Sequence, residues 1–75
     1  MIKWRYQDVR AGDTLVVTDD LARDMPECFC RGAKLKVKFD RSGLLCVNCR
    51  VGGVHPLLDF IGKDDMLIGF ENEVH

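Results

Sequence analysis

A small all-β domain is the fold class this sequence predicts, and three observations predict it. From Lys34 to Cys49 polar and apolar side chains alternate with period two, break at Asp40-Arg41-Ser42-Gly43, and resume the alternation, as a hairpin with one buried face requires. A second glycine turn follows at Val51-Gly52-Gly53-Val54, so three strands of a meander succeed one another. Upstream, the β-branched run Thr14-Leu15-Val16-Val17-Thr18 begins just after the turn signal Gly12-Asp13.

The elements can be justified in order. Trp4 and Tyr6 alternate with Lys3, Arg5 and Gln7, so residues 1–8 are expected as an N-terminal arm or short strand. After the strand at 14–18, Asp19-Asp20 can cap a helical turn through Leu21–Met25 that Pro26 ends, which makes 19–31 one long loop. In the central hairpin, Gly43 suits the positive-φ position of a three-residue loop. That loop sets Phe39 against Leu45, Val37 against Val47 and Leu35 against Cys49, all on the buried face. The other face then carries Lys34, Lys36, Lys38 and Asp40 opposite Arg50, Asn48, Cys46 and Leu44. Read as a two-residue turn, Gly52-Gly53 places Val54 beside Val51 and Pro56 beside Cys49. Asp59–Gly62 reads as a short 3-10 turn, Met66–Phe70 as the last strand, and 71–75 as a frayed tail.

Composition narrows the classes. A chain of 75 residues with 47% hydrophobic and 31% charged content is a single globular domain, 1–75, rather than a disordered segment. No apolar run approaches the roughly 18 residues of a membrane span. The start Met1–Asp8 is too charged for a signal peptide, which leads to the expectation of a cytoplasmic protein without membrane contact. The net charge of −1 conceals an asymmetry: between Cys28 and Leu58 six basic residues face Asp40 alone, and both flanks are acidic.

The order of a strand after Gly12-Asp13, a long loop, a three-stranded meander, a single 3-10 turn and a closing strand resembles the SH3-like small barrel. The residues carrying the likeness are Val9–Val17 and the hairpin from Gly32 to Cys49, and it spans roughly residues 9–70. The resemblance implies a five-stranded barrel with a long first connection and a 3-10 turn before the last strand. Short SH3-like proteins with this opening are also similar to phage and prophage accessory proteins, which implies a small regulator or inhibitor of a host protein. The acidic long loop lacks the aromatic cluster of signalling SH3 domains, so proline-peptide binding is not implied.

Three sets of residues carry candidate chemistry. For a protein partner, the expected contacts are Trp4, Tyr6, Phe29, Leu44 and Cys46, on the arm, the long loop and the outer hairpin face. Isolated apolar residues are ordinary on surfaces, and Trp4 and Tyr6 serve equally to cover an open barrel end. For nucleic acid, the row Lys34, Lys36, Lys38 with Arg50 offers phosphate contacts, though no aromatic interleaves with the lysines for base stacking. Lysines on a strand's wet face also serve solubility and block edge pairing.

For zinc, Cys28-Phe29-Cys30 and Cys46-Val47-Asn48-Cys49 are separated by 15 residues, and only the second pair has the two-residue spacing of a zinc knuckle. The register puts Cys46 outside and Cys49 inside. A grouping of Cys28 and Cys30 near His55, with His75 returning, is the more compact alternative. Free thiols are the simpler reading of all four cysteines. Catalysis has little support: the chain holds two histidines, no phosphate loop, and only a remote Cys30–His55 pairing. The sequence is therefore read as a non-enzymatic module that binds a protein and is compatible with self-association. Nucleic-acid binding through the basic face and a zinc-stabilised mini-domain are the alternatives.

Overall fold

The computed structural model describes residues 4–73 and is built mainly from six short strands. These are β1 (Thr14–Val17), β2 (Lys34–Lys36), β3 (Lys38–Phe39), β4 (Leu45–Asn48), β5 (Val54–Pro56) and β6 (Phe70–Asn72), with one short helix, α1 (Asp19–Asp24). They form two antiparallel three-stranded sheets, ordered β2-β1-β6 and β3-β4-β5. Together they are not the closed five-stranded barrel that the sequence predicts.

The reason lies in one extended run. Residues 34–39 do not stay paired with β4 along their length. Val37 donates to Asp13 O and accepts from Gly12 N, both at 2.8 Å, so the chain entering β1 captures this end of the strand. Leu35 consequently pairs with Leu15, not Cys49, while Lys38 and Phe39 keep the expected partners Cys46 and Leu45. The two sheets share this run along one seam. Along the other, the chain after β5 coils into a 3-10 turn, Leu57–Phe60, and the parts are joined by the isolated bridges Ile61–Leu67 and Arg5–Met66 and by the bond from Ile68 N to Phe60 O.

The hairpin loop forms as its composition requires. Gly43 has φ +86°, and the Asp40 carboxylate accepts from Ser42 N (2.8 Å), Ser42 Oγ (2.6 Å) and Leu44 N (3.0 Å). The second loop repeats the first instead of making a two-residue turn. Asp40 N donates to Leu44 O and Gly43 N to Asp40 O; likewise Cys49 N donates to Gly53 O and Gly52 N to Cys49 O. Gly52, again at φ +86°, plays the part of Gly43. Pro56 therefore faces Cys46 rather than Cys49, Val47 faces His55, and Asn48 faces Val54.

Other boundaries shift for local reasons. The cap of α1 is Thr18, whose Oγ1 accepts from Leu21 N at 3.4 Å, so Asp19 and Asp20 occupy the first helical turn rather than the cap. The closing strand is Phe70–Asn72, later than Met66–Phe70. Thr18 N donates to Gly69 O and Glu73 N to Thr14 O, fixing this segment beside β1. Glu71 and Asn72 are thus strand rather than frayed tail, and residues 74–75 lie outside the described residues, as do residues 1–3 of the expected arm. The rest of that arm makes a bridge at Arg5 and a 3-10 turn at Tyr6–Asp8, and Trp4 O accepts from Leu67 N.

The core fills the space between the sheets with Leu15, Val17, Val37, Val47, Leu57 and Leu67 around three phenylalanines. Phe29, Phe60 and Phe70 meet edge to face, with ring centroids 5.2–6.1 Å apart. Phe39, expected inside, is 61% exposed, because β3 carries the hairpin tip past the edge of this core. Among the described residues no helix is long and apolar enough to cross a membrane.

Candidate functional site

Two surfaces of the β3-β4-β5 sheet place the residues singled out from the sequence. On its outer side, Lys38, Cys46 and Pro56 lie side by side across the three strands. A shallow groove of about 490 Å³ runs over the first two, lined by Lys38, Phe39, Arg41, Cys46 and Val54 among others. Cys46 forms its floor but is 0% exposed: the short side chain of a central strand sinks below those of its neighbours. Its place in the outward register is as expected, yet it offers a partner no surface. Leu44, beside the groove at the hairpin tip, is 42% exposed, and Val54 is 55% exposed.

Phe29 is corrected more strongly. At 2% exposure it belongs to the core rather than to a contact surface. Helical-type hydrogen bonds from Cys28 N and Phe29 N to Met25 O turn the loop inward and drive the ring against Phe60 and Phe70. Trp4 and Tyr6 are half-buried and pack on the core, the covering role that the sequence allowed them.

The basic row does not stay together. Lys34 and Lys36 lie on β2 and Lys38 on β3, in different sheets. Lys34 Nζ is 2.6 Å from Glu73 Oε1. Arg50 leaves the row altogether: its guanidinium donates from Nε to Glu27 O (3.2 Å), from one terminal nitrogen to Pro26 O (2.9 Å), and from the other to Cys30 Sγ (3.0 Å). It fastens the long loop to the β4–β5 turn. At the far end of that loop, α1 and β6 border an open acidic cleft of about 770 Å³, where Asp19 pairs with Arg31 at 3.7 Å.

On the inner side of the sheet the structure gathers Cys28, Cys49 and His55, whose ligand atoms all lie within 4.8 Å of one another. Val47 and His55 are paired, so Cys49, two residues on from Val47, shares their face. Cys28 arrives from the long loop through a backbone bond from Arg50 N to Cys28 O, at 3.4 Å. Cys30 and Cys46 are not in the group, so the four-cysteine arrangement does not form, and Cys30 Sγ instead accepts from Arg50. His75 lies outside the described residues.

Both thiols of the cluster are perturbed by their surroundings. Burial would raise the Cys49 thiol, but the adjacent His55 imidazole, the backbone N–H groups of Val51 and Gly53, and Cys28 bring it down to about 7. The Cys28 thiol is pushed up, by burial first and then by its hydrogen bond and charge repulsion with Cys49. Buried Nε2 of His55, although close to Cys49, makes no hydrogen bond of regular geometry. No carboxylate belongs to the cluster. The sequence contained this trio among five candidates, and only a paired register for β4 and β5 could have separated it from Cys30 and Cys46.

Comparison with protein-family models, with curated proteins and with solved structures finds no match.

Proposed function

We propose that this chain is an SH3-like binding module that docks an acidic protein segment carrying apolar side chains along the outer groove of the β3-β4-β5 sheet. The observation that carries the reading is the groove's composition. Phe39 and Val54 line the groove and, with Leu44 at the hairpin tip, present apolar surface to solvent beside Lys38 and Arg41, while the acid among the lining residues, Asp40, accepts three hydrogen bonds of its own turn at Oδ1. Apolar anchors rimmed by charge of one sign suit a partner of opposite charge, which gains burial from the first and orientation from the second. The fold half of the proposal is supported by the run 34–39 serving both sheets, the long first connection holding α1, and the 3-10 turn Leu57–Phe60 between β5 and β6. A nucleic-acid role through the lysine row is less well supported, since Lys34 is ion-paired and Arg50 is held by loop carbonyls.

The test is capture from lysate by the immobilised full chain, with and without nuclease, beside Phe39→Glu, Leu44→Asp and Lys38→Glu variants. The expected result is a protein retained after nuclease treatment, lost with each variant, and competed by an acidic peptide with apolar side chains but not by its neutral analogue. Capture that disappears with nuclease, or that all three variants retain, overturns the proposal. Because Phe39, Leu44 and Lys38 are exposed, unfolding free energies of the variants should stay within about 0.5 kcal/mol of the parent.

A further inference from the structure

The identical geometry of the two hairpin loops isolates one residue that the turns do not explain. In both loops a glycine with φ +86° follows two ordinary residues, and the strand resumes at the next position. In the first loop that position is Leu44; in the second it is Gly53. Gly53 is not in the left-handed region, so neither the loop nor its own backbone angle calls for glycine. Its surroundings do: a Cβ there would stand 3.2 Å from Cys49 Sγ and 3.3 Å from His55 Nε2. The missing side chain leaves room beside the sulfur and the imidazole nitrogen, and Nε2 is a buried polar atom without a partner.

We propose that Cys28 Sγ, Cys49 Sγ and His55 Nε2 form a three-ligand zinc site, with its fourth position left to water or to a side chain beyond the described residues. Two thiolates and an imidazole are a borderline-soft donor set that favours zinc over oxygen-seeking magnesium or calcium. A tetrahedron with sulfur about 2.3 Å and nitrogen about 2.0 Å from the metal has edges of roughly 3.5–3.8 Å. The cluster, with all ligand atoms inside 4.8 Å, needs a contraction of about 1.3 Å at most. The backbone is already braced for it. Cys49 closes the β4–β5 loop, His55 lies in the ladder opposite Val47, and Arg50 ties the Cys28 loop to the same turn through Pro26 O and Glu27 O. The site is on the inner side of the sheet and does not depend on the outer groove, because adjacent residues Val54 and His55 point to opposite faces.

The experiment is titration of the full chain, reduced with a phosphine that does not bind metal, with zinc chloride against a chromophoric chelator. It is repeated with cobalt(II) to read thiolate-to-metal charge transfer and tetrahedral d–d bands. One metal per chain is expected, with both cobalt signatures. Cys28→Ser, Cys49→Ser and His55→Gln should each weaken binding at least about a hundredfold, whereas Cys30→Ser leaves it unchanged. Gly53→Ala should retain the fold, read from its circular dichroism, and weaken zinc about tenfold or more. Alkylation followed by peptide mapping covers the case in which a ligand variant fails to fold: in the parent protein, zinc should protect Cys28 and Cys49 while Cys30 continues to react. No uptake by the reduced protein, octahedral cobalt spectra, protection of Cys30 in place of Cys28, or unchanged affinity in a folded Gly53→Ala protein overturns the proposal.

Discussion

Replacing Phe29 with alanine separates a core role from a surface role with one substitution. The ring is 2% exposed, lies 4.9 Å from the His55 ring, and meets Phe60 and Phe70 edge to face at 6.1 and 5.7 Å. Removing it forfeits those ring contacts and leaves a void where the loop enters the core, a loss of about 3–5 kcal/mol. A domain of 75 residues holds roughly 4–11 kcal/mol in total at ordinary stability per residue, so the variant loses between about a quarter of its margin and all of it. The melting temperature should fall by about 12 °C or more. Urea denaturation followed by tryptophan fluorescence reads the change, since Trp4 is the one tryptophan and packs on the core. If the variant remains within about 1 kcal/mol of the parent while partner capture is lost, the ring faces a ligand and the packing argument fails.

Acidification should act through the first hairpin turn. Hydrogen bonds to the Asp40 carboxylate, first from Ser42 Oγ and then from Leu44 N, lower its pKa below the usual 3.8. A group depressed on folding stabilises fully above its unfolded value and loses that contribution as pH falls through its folded one, so the gap in denaturation midpoint between the parent and Asp40→Asn should close in acid. A gap that stays constant or widens as pH falls below 3.8 contradicts this reading. Arg50→Ala frees Pro26 O and Glu27 O, so amide exchange at residues 27–30 and alkylation of Cys28 should both accelerate in metal-free protein. Unchanged exchange there would mean that the clamp holds nothing. Thr18→Ala removes the cap of α1 and should cost about 1 kcal/mol in urea denaturation, against almost nothing for Asp19→Ala at the position that the sequence favoured.

The parts of this fold legible in the sequence were those whose information is local. Period-two alternation and the Asp40–Gly43 loop specify the pairing of Lys38 with Cys46 and Phe39 with Leu45, because the loop geometry and the apolar face agree. The second loop misleads because its two glycines answer to different needs: Gly52 bends the chain, while Gly53 makes space for Cys49 and His55. Reading both as turn residues shortens the loop and shifts the register of β5. Phe29 escapes because a loop residue has no periodicity to announce its face, and its burial follows from a turn at Met25. The switch of residues 34–39 from one sheet to the other depends on Gly12 and Asp13, more than 20 positions away, and leaves no trace in the alternation. Cys28, Cys49 and His55 were all visible as ligand types; their convergence depends on that same long-range arrangement.

The paired loops also govern how the chain can tolerate length changes. β4 is suspended between two glycine corners of equal span, so sliding it by one residue would demand a longer loop at one end and a shorter one at the other. An extra residue grafted between Arg41 and Ser42 therefore meets a strand still pinned by its opposite corner, and the insertion should bulge outward at the tip without propagating into the cysteine–histidine trio.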